Sequence, residues 1–223
     1  MHMRSLAPLL AAVALLLLAG CATETSHAVQ TPQVQTAARP YSGPRTAIAV
    51  GKFENKSAFL RGIFSDGIDR LGGQAKTILI THLQQTGRFS VMDRENMEEI
   101  KREAVIAGTE QKMKGAAFAI SGDVTEFGRK ETGDTQLFGI VGQGKSQVAY
   151  AKVSLYVIDV ATSEVVTSVQ GAGEYALSNR EVLGFGGTSS YDATLNGKVL
   201  DLAIREAADK LAVELENGGW SRK

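Results

Sequence analysis

Three groups of residues in this chain have the types and spacing to do chemistry. The stretch "GIVGQGKS", Gly139 to Ser146, fits G-x-x-x-x-G-K-[ST] at every fixed position. With that spacing a glycine loop, a lysine and a hydroxyl hold nucleotide phosphates. "LYVID" follows and ends in Asp159, where a second nucleotide-binding element would put its carboxylate. His82 is the only histidine beyond the N-terminal tract, and Ser189, Ser190, Asp192 and Glu174 are candidates for a hydrolytic set. Cys21 is the only cysteine.

The phosphate reading fails on the element it needs. A cradle works when a strand delivers the glycines to the N-terminus of a helix, whose N–H groups and dipole face the phosphates. After Lys145 and Ser146 comes "QVAYAKVSLYVIDV", rich in Val, Tyr and Ala in alternating order, which reads as a long strand. Only eight residues separate Ser146 from Leu155. A parallel crossover takes about a dozen or more. Gly139, Gly142 and Gly144 are therefore expected to form a hairpin tip, where φ > 0 is needed, and neither nucleotide nor any other cofactor is expected. One histidine without a second histidine or a free cysteine cannot build a zinc site. Ser189 and Ser190 lack the strand–elbow–helix setting of a nucleophile, and a lone Asp192–Glu174 pair reads as solvated surface. The chain is expected not to be an enzyme.

Cys21 has a clearer chemistry. The chain opens "MHMRSLAPLLAAVALLLLAGCATET", with Arg4 as the only charge before the apolar run Leu6 to Ala19. This is the charged and apolar order of an export signal, and the run is shorter than the roughly 20 residues of a spanning helix. It ends in "LLAGC", Leu17 to Cys21, which resembles a bacterial lipoprotein signal, with small residues before the cysteine. That resemblance implies cleavage after residue 20, a diacylglycerol thioether on Cys21 and acylation of its amine. Two or three acyl chains anchor stably where one does not. Ala22, rather than the Asp that favours inner-membrane retention, points to the outer membrane.

With Arg4 lost from the 24 basic residues, 23 remain against 24 acidic ones, so no basic excess supports a nucleic-acid partner. Residues 22–44 are rich in Thr, Gln and Ala, hold His27 and three of the four prolines, and read as a flexible linker. The folded domain is expected at 45–217, with a short tail at 218–223.

Within it, "TAIAVGKF" alternates as a strand. A long Gly-containing loop, Glu54 to Gly73, precedes a helix with Ala75, Ile78, Leu79, His82 and Leu83 on one stripe, and loops of that length are commonly functional. Phe89 to Met92 read as a short strand. Asp93 is expected to cap a helix from Arg94 to about Ala107 that buries Met97, Ile100 and Ala104 and stops at Gly108. "KGAAFAISGDVTEF" reads as the next strand. The order of strand and helix argues an α/β (α+β) domain. A helix from about Leu195 to Glu216 closes it, with Leu200, Ile204, Ala207, Leu211 and Leu215 buried and Trp220 packed at its end.

Two hairpins are expected. The arms of the first run from about Asp123 to Phe138 and from Lys145 to Val160. The second lies within Gln170 to Gly197, with its tip at Gly184, Gly186 and Gly187. A bilayer-crossing strand needs about 9–11 residues and an apolar face every second residue. Val148, Tyr150, Tyr156, Ile158 and Val160 supply such a face. Neither alternate face of the 123–138 arm does, because Glu126, Lys130, Arg129 and Glu131 interrupt both.

Four stretches together resemble one family. "QAKTILITHLQQTGRFSVMDRENMEEIKRE" looks like its first helix, short strand and charged second helix. "AISGDVTEF" looks like its next strand, and "VSLYVIDVATSEVVTSVQG" like its strand–turn–strand. The Gly-rich segment before "GKVLDLAIREAADKLAVEL" looks like its second hairpin and C-terminal helix. The chain is similar, from about Thr46 to Leu215, to the CsgG/HfaB family of curli production assembly/transport lipoproteins. The resemblance implies an acylated outer-membrane protein facing the periplasm, a homo-oligomer in which each protomer gives two hairpins to one barrel, and a secreted protein cargo. It also implies that the loop Glu54 to Gly73 narrows the pore, with Phe59, Phe64 and Asp66 as the local candidates. The alternative is a non-inserting periplasmic lipoprotein that binds or scaffolds an envelope-assembly partner.

Overall fold

The computed structural model describes residues 31–59, 68–135, 143–181 and 194–220. Thr31 and Pro32 close one unit, Met1–Pro32, and all other described residues belong to a second, Gln33–Lys223. The elements of the second unit run in the order β1 (Thr46–Asn55), α1 (Arg70–Gln85), β2 (Phe89–Met92), α2 (Met97–Ile106), β3 (Phe118–Thr135), β4 (Gln143–Asp159), β5 (Val165–Glu181) and α3 (Thr194–Glu216). The fold is mixed α/β, as the alternation of elements implied.

One five-stranded sheet carries the order β2-β1-β3-β4-β5. β1 pairs in parallel with β2 and β3, and β3–β4 and β4–β5 are antiparallel. Parallel neighbours need a crossover, and α1 and α2 lie in those two connections. α1 and α3 pack on each other and on the sheet, α1 over β1, β2 and β3 and α3 over β4 and β5. Between them and the strands lies the core, centred on Ile48, Leu79, Leu83, Phe89, Ile120, Val153, Leu155, Leu200, Ile204 and Leu211.

β3 carries the irregularity that matters most. Its register with β4 passes from Val124↔Val153 to Glu126↔Lys152, leaving Thr125 as an extra residue. A bulge of this kind shifts the alternation by one. The core face therefore runs Phe118, Ile120, Val124 and then Phe127, all buried. The two faces expected for the 123–138 arm assumed an unbroken period of two, and neither exists as such. On β4 the core face is Ala149, Ala151, Val153, Leu155 and Val157. The apolar row that looked fit for lipid is the opposite face, on which Tyr150 and Val160 are exposed.

α3 comes unusually close to β5. A Cβ on Gly171 would stand 2.0 Å from the Ala203 carbonyl oxygen, and one on Gly173 2.6 Å from that of Val199. Glycine on the strand, facing Ala203 and Ala207 on the helix, is what lets the two backbones meet.

Several boundaries depart from expectation. α1 begins at Arg70, inside the expected loop, because the Asp69 side chain accepts a hydrogen bond from the Gly72 N–H (2.8 Å) and caps the helix. α2 starts three residues later than expected. Asp93 takes the N–H groups of Glu95 (2.9 Å) and Asn96 (3.2 Å) in a turn of its own, which fits a carboxyl held below its ordinary value by Asn96 and these amides. α2 also buries none of its residues. Val105 and Ile106 are 74% and 72% exposed, since no substantial packing joins α2 to any other element. Finally, part of the expected linker is structured. Gln35–Ala38 form a 3₁₀ turn with Val34 and Thr36 buried. At the other end Trp220 is buried against Phe89 (centroids 5.2 Å) and Phe118 (5.4 Å), so the tail is packed as far as that residue.

Candidate functional site

The loop after β1, the bulge in β3 and the start of α3 meet at the root of the β3–β4–β5 ribbon. Lys56 and Ser57 donate their backbone N–H groups to the Val124 carbonyl at 2.9 and 3.0 Å, the oxygen beside the bulge. Asn55 gives its N–H to the Asp69 carboxylate (2.6 Å) and its side-chain amide to the Phe59 carbonyl (2.7 Å), while the Ser57 hydroxyl donates to Asn55 Oδ1 (2.6 Å). Both ends of the 54–69 connection are thus tied to one another. Across the root, Arg129 Nε donates to Asn196 Oδ1 of α3 at 2.9 Å, and the Lys198 ammonium lies over the Tyr175 ring, 5.2 Å from its centroid.

Of the three pore-loop candidates, Phe59 is described. It packs edge to face on Phe127, with centroids 4.7 Å apart, against the core cluster. Phe64 and Asp66 lie outside the described residues, as does Cys21. So do Gly139 and Gly142 of the first expected hairpin tip, the second tip at Gly184, Gly186 and Gly187, and the hydrolytic candidates Ser189, Ser190 and Asp192. Gly144, the third glycine of the first tip, lies instead within β4, opposite Asp134 of β3. The first arm of the expected second hairpin is β5. Lys145 and Ser146 sit in β4, opposite Gly133 and Thr132 of β3, where the nucleotide motif required a helix. Asp159 is buried and holds the β4–β5 turn, accepting from the Ala161 N–H (2.7 Å) and the Thr162 N–H (3.1 Å). Beside the loop, Lys52 and Lys56 bracket Glu54 and hold its carboxyl at about 2. Among the described residues no group of His, Cys, Asp and Glu could hold a metal ion.

Two polar centres escaped sequence reasoning. Arg88, 3% exposed in its side chain, bonds Glu216 on α3 through Nε (2.7 Å) and the carbonyls of Thr36 (2.7 Å) and Arg39 (3.2 Å), with Thr86 as a further acceptor. Its guanidinium lies over Tyr41, 5.0 Å from the ring centroid. Asp209 completes the strap by accepting from the Gln35 N–H (2.9 Å), the Thr36 N–H (2.8 Å) and the Thr36 hydroxyl (2.7 Å). The only hint in the sequence was an arginine placed directly before a buried strand. The other centre is His82, buried on the apolar stripe of α1, which faces Asp201 of α3.

The ribbon has two parts. Rows from Phe118↔Asp159 to Arg129↔Ala149 belong to the core sheet, and rows from Lys130↔Val148 to Thr135↔Gln143 continue beyond it. That continuation is six rows, about 20 Å at roughly 3.3 Å per residue.

Comparison with known proteins bears on the whole chain. A Neisseria meningitidis serogroup B lipoprotein candidate, NMB1126/NMB1164, is 60% identical over 209 residues, 94% of each chain. Among solved structures, the lipoprotein GNA1162 of N. meningitidis aligns with a TM-score of 0.36 at 13% identity, over 77% of this chain and 99% of that one. PelC of Paraburkholderia phytofirmans, a dodecamer in its crystals, aligns with a TM-score of 0.35 at 19% identity, over 77% and 95%. Likenesses at that level carry no functional argument. The family described as "Curli production assembly/transport component CsgG" matches residues 29–223, and with that match, over nearly the whole folded part, this chain belongs to the CsgG family.

Proposed function

We propose that this protein is an acylated lipoprotein of the Gram-negative outer membrane whose folded body serves assembly or transport by docking other proteins, without catalysis and without a cofactor. Family membership and the identity to a lipoprotein candidate support the envelope setting. The observation that carries the docking reading is how the long hairpin is spent. Of the arm expected at 123–138, Asp123 to Arg129 of β3 lie in the core sheet, whose β3–β4 ladder runs from Phe118 to Arg129 in eleven paired rows. The described ladder continues beyond them for six rows. Its sequence also includes Lys130, Glu131, Asp134, Lys145 and Arg180, and basic residues on the lipid side of a barrel cost about 2–4 kcal/mol at mid-bilayer. Self-association and a protein partner fit this reading, with the ribbon root as the rigid platform.

The channel reading has one observation in its favour: pairing continues without a break to Thr135↔Gln143 and Gln143↔Glu181. The two readings separate in a thiol scan. Cys21 is consumed by its acyl thioether, so single cysteines placed at positions 143 to 148, beyond the buried Ala149, are the only reactive thiols. In cells with a permeabilised outer membrane, an impermeant maleimide is expected to label exposed positions at even rates along the ribbon. Protection of every second position would mean a lipid-facing wall and would establish the channel instead.

Cys21→Ser is expected to move the protein from the membrane fraction to the soluble one, because no helix among the described residues is long and apolar enough to cross a membrane. Retention of the variant in membranes washed at high salt would end the anchor claim.

A further inference from the structure

His82 sits on α1, 3% exposed, with both ring nitrogens occupied by acceptors from two helices. Nε2 lies 2.8 Å from Asp201 Oδ1 on α3, and Nδ1 lies 3.0 Å from Gln85 Oε1 one turn along α1. A neutral imidazole has one N–H to give, whereas the imidazolium has two. Two oxygen acceptors therefore match the charged ring. In the neutral state the Gln85 amide must turn end over end to present its NH₂ to the bare nitrogen, and the bond to Asp201 loses its cationic partner.

We propose that His82 and Asp201 form a pH-dependent latch between α1 and α3, closed while the ring carries both protons and loosened when it loses one. The two helices it joins are the ones that matter at the ribbon root. α1 grows out of the loop tied to Asp69, and α3 carries Asn196, Lys198 and the close contact with Gly171 and Gly173. Loosening the latch frees the loop side of the domain from the ribbon side. The inference rests on described contacts within the domain and stands whether or not the ribbon meets lipid.

The charged groups that face the ring agree with this assignment. Burial opposes the charge, and the bonds to Asp201 and Gln85, with the Asp201 charge, outweigh it. Arg205 on α3 pushes the other way. The net direction is upward from the ordinary 6.5. β1, β2 and β3 pack on the rest of α1, and no charged group from them contributes to that balance. A histidine raised in the folded state contributes stability that is fully present below its unfolded value and is lost as pH rises through its folded value. The latch is thus complete below the ordinary histidine value and is lost as pH rises beyond it.

The test uses the mature acylated protein in detergent, purified without a polyhistidine tag. It then holds two imidazoles, His27 and His82, which NMR resolves with labelled histidine. His82 is expected to titrate above His27, and Asp201→Asn to bring it down to His27 or lower. The gap in melting temperature between wild type and His82→Gln is expected to narrow steadily from pH 6 to pH 9. If His82 titrates at or below His27 in the wild type, or if that gap is the same at every pH, the latch does not exist. Should Asp201→Asn fail to fold, the order of the two wild-type titrations decides alone.

Discussion

Arg88→Ala is expected to destabilise the domain by about 3–5 kcal/mol, the range for removing one partner of a buried ion pair. The guanidinium satisfies Glu216 and several backbone carbonyls at once, from the N-terminal strap, the α1–β2 turn and the end of α3. Its loss removes a donor from each of those carbonyls, of which Thr36 keeps the Arg39 N–H, and a buried group left unsatisfied costs about 1–3 kcal/mol by itself. For a domain of this size each kcal/mol lowers the melting temperature by about 2–4 °C. Arg88→Lys should recover little, because one ammonium cannot reproduce a planar fork that reaches acceptors on three segments. Glu216→Gln should cost less, since that carboxylate is partly exposed and its remaining oxygen can still accept. Chemical denaturation measures all three, and amide exchange at Thr36 reports the strap directly. A loss below about 1 kcal/mol in the alanine variant would mean that the strap and α3 hold together without the arginine.

The second large effect is expected at Gly171. Valine there places a Cβ against the Ala203 carbonyl oxygen and the Ala207 amide nitrogen. Overpacking commonly costs about 1–3 kcal/mol and sometimes more. Here the obstacle is helix backbone, which cannot rotate away, so the cost should reach or exceed the top of that range. Ala203→Gly is expected not to rescue the variant, because the clash is with a carbonyl. Gly122 provides the contrast. A Cβ at that position meets Phe53 Cε2 at 2.6 Å and Leu155 Cδ2 at 2.7 Å, both ends of side chains. Gly122→Ala should therefore be partly relieved by Phe53→Leu. Equal rescue at the two sites would show that α3 floats over β5 rather than resting on it.

Much of the domain was written in local pattern. The strands at Thr46 and at Phe89 to Met92, the stripe of α1 and the long C-terminal helix follow from periodicity. Each is an element whose apolar residues repeat on one face and turn to the core, with Ile48, Leu79, Leu83, Phe89, Leu200 and Ile204 fully buried. The stretch around Lys145 was legible as a strand for the same reason, which disposed of the nucleotide motif before any contact was known. α2 shows the limit of the method. Met97, Ile100 and Ala104 make a helical stripe, yet none of them is buried, since a stripe states what a helix could bury and not whether anything lies opposite.

The sequence by itself determined the kinds and order of the elements, the single cysteine and the absence of charge bias. All of these depend on residues close together along the chain. Tertiary structure alone decided which face of the ribbon is core, because the extra Thr125 in β3 shifts every later residue to the opposite side and register is a property of two strands. It alone decided that residues 33–41 belong to the body, through Arg88 and Asp209, from positions 88 and 209 that no short-range pattern connects. The same holds for His82 and Asp201. They lie 119 positions apart and meet where α1 and α3 pack on each other.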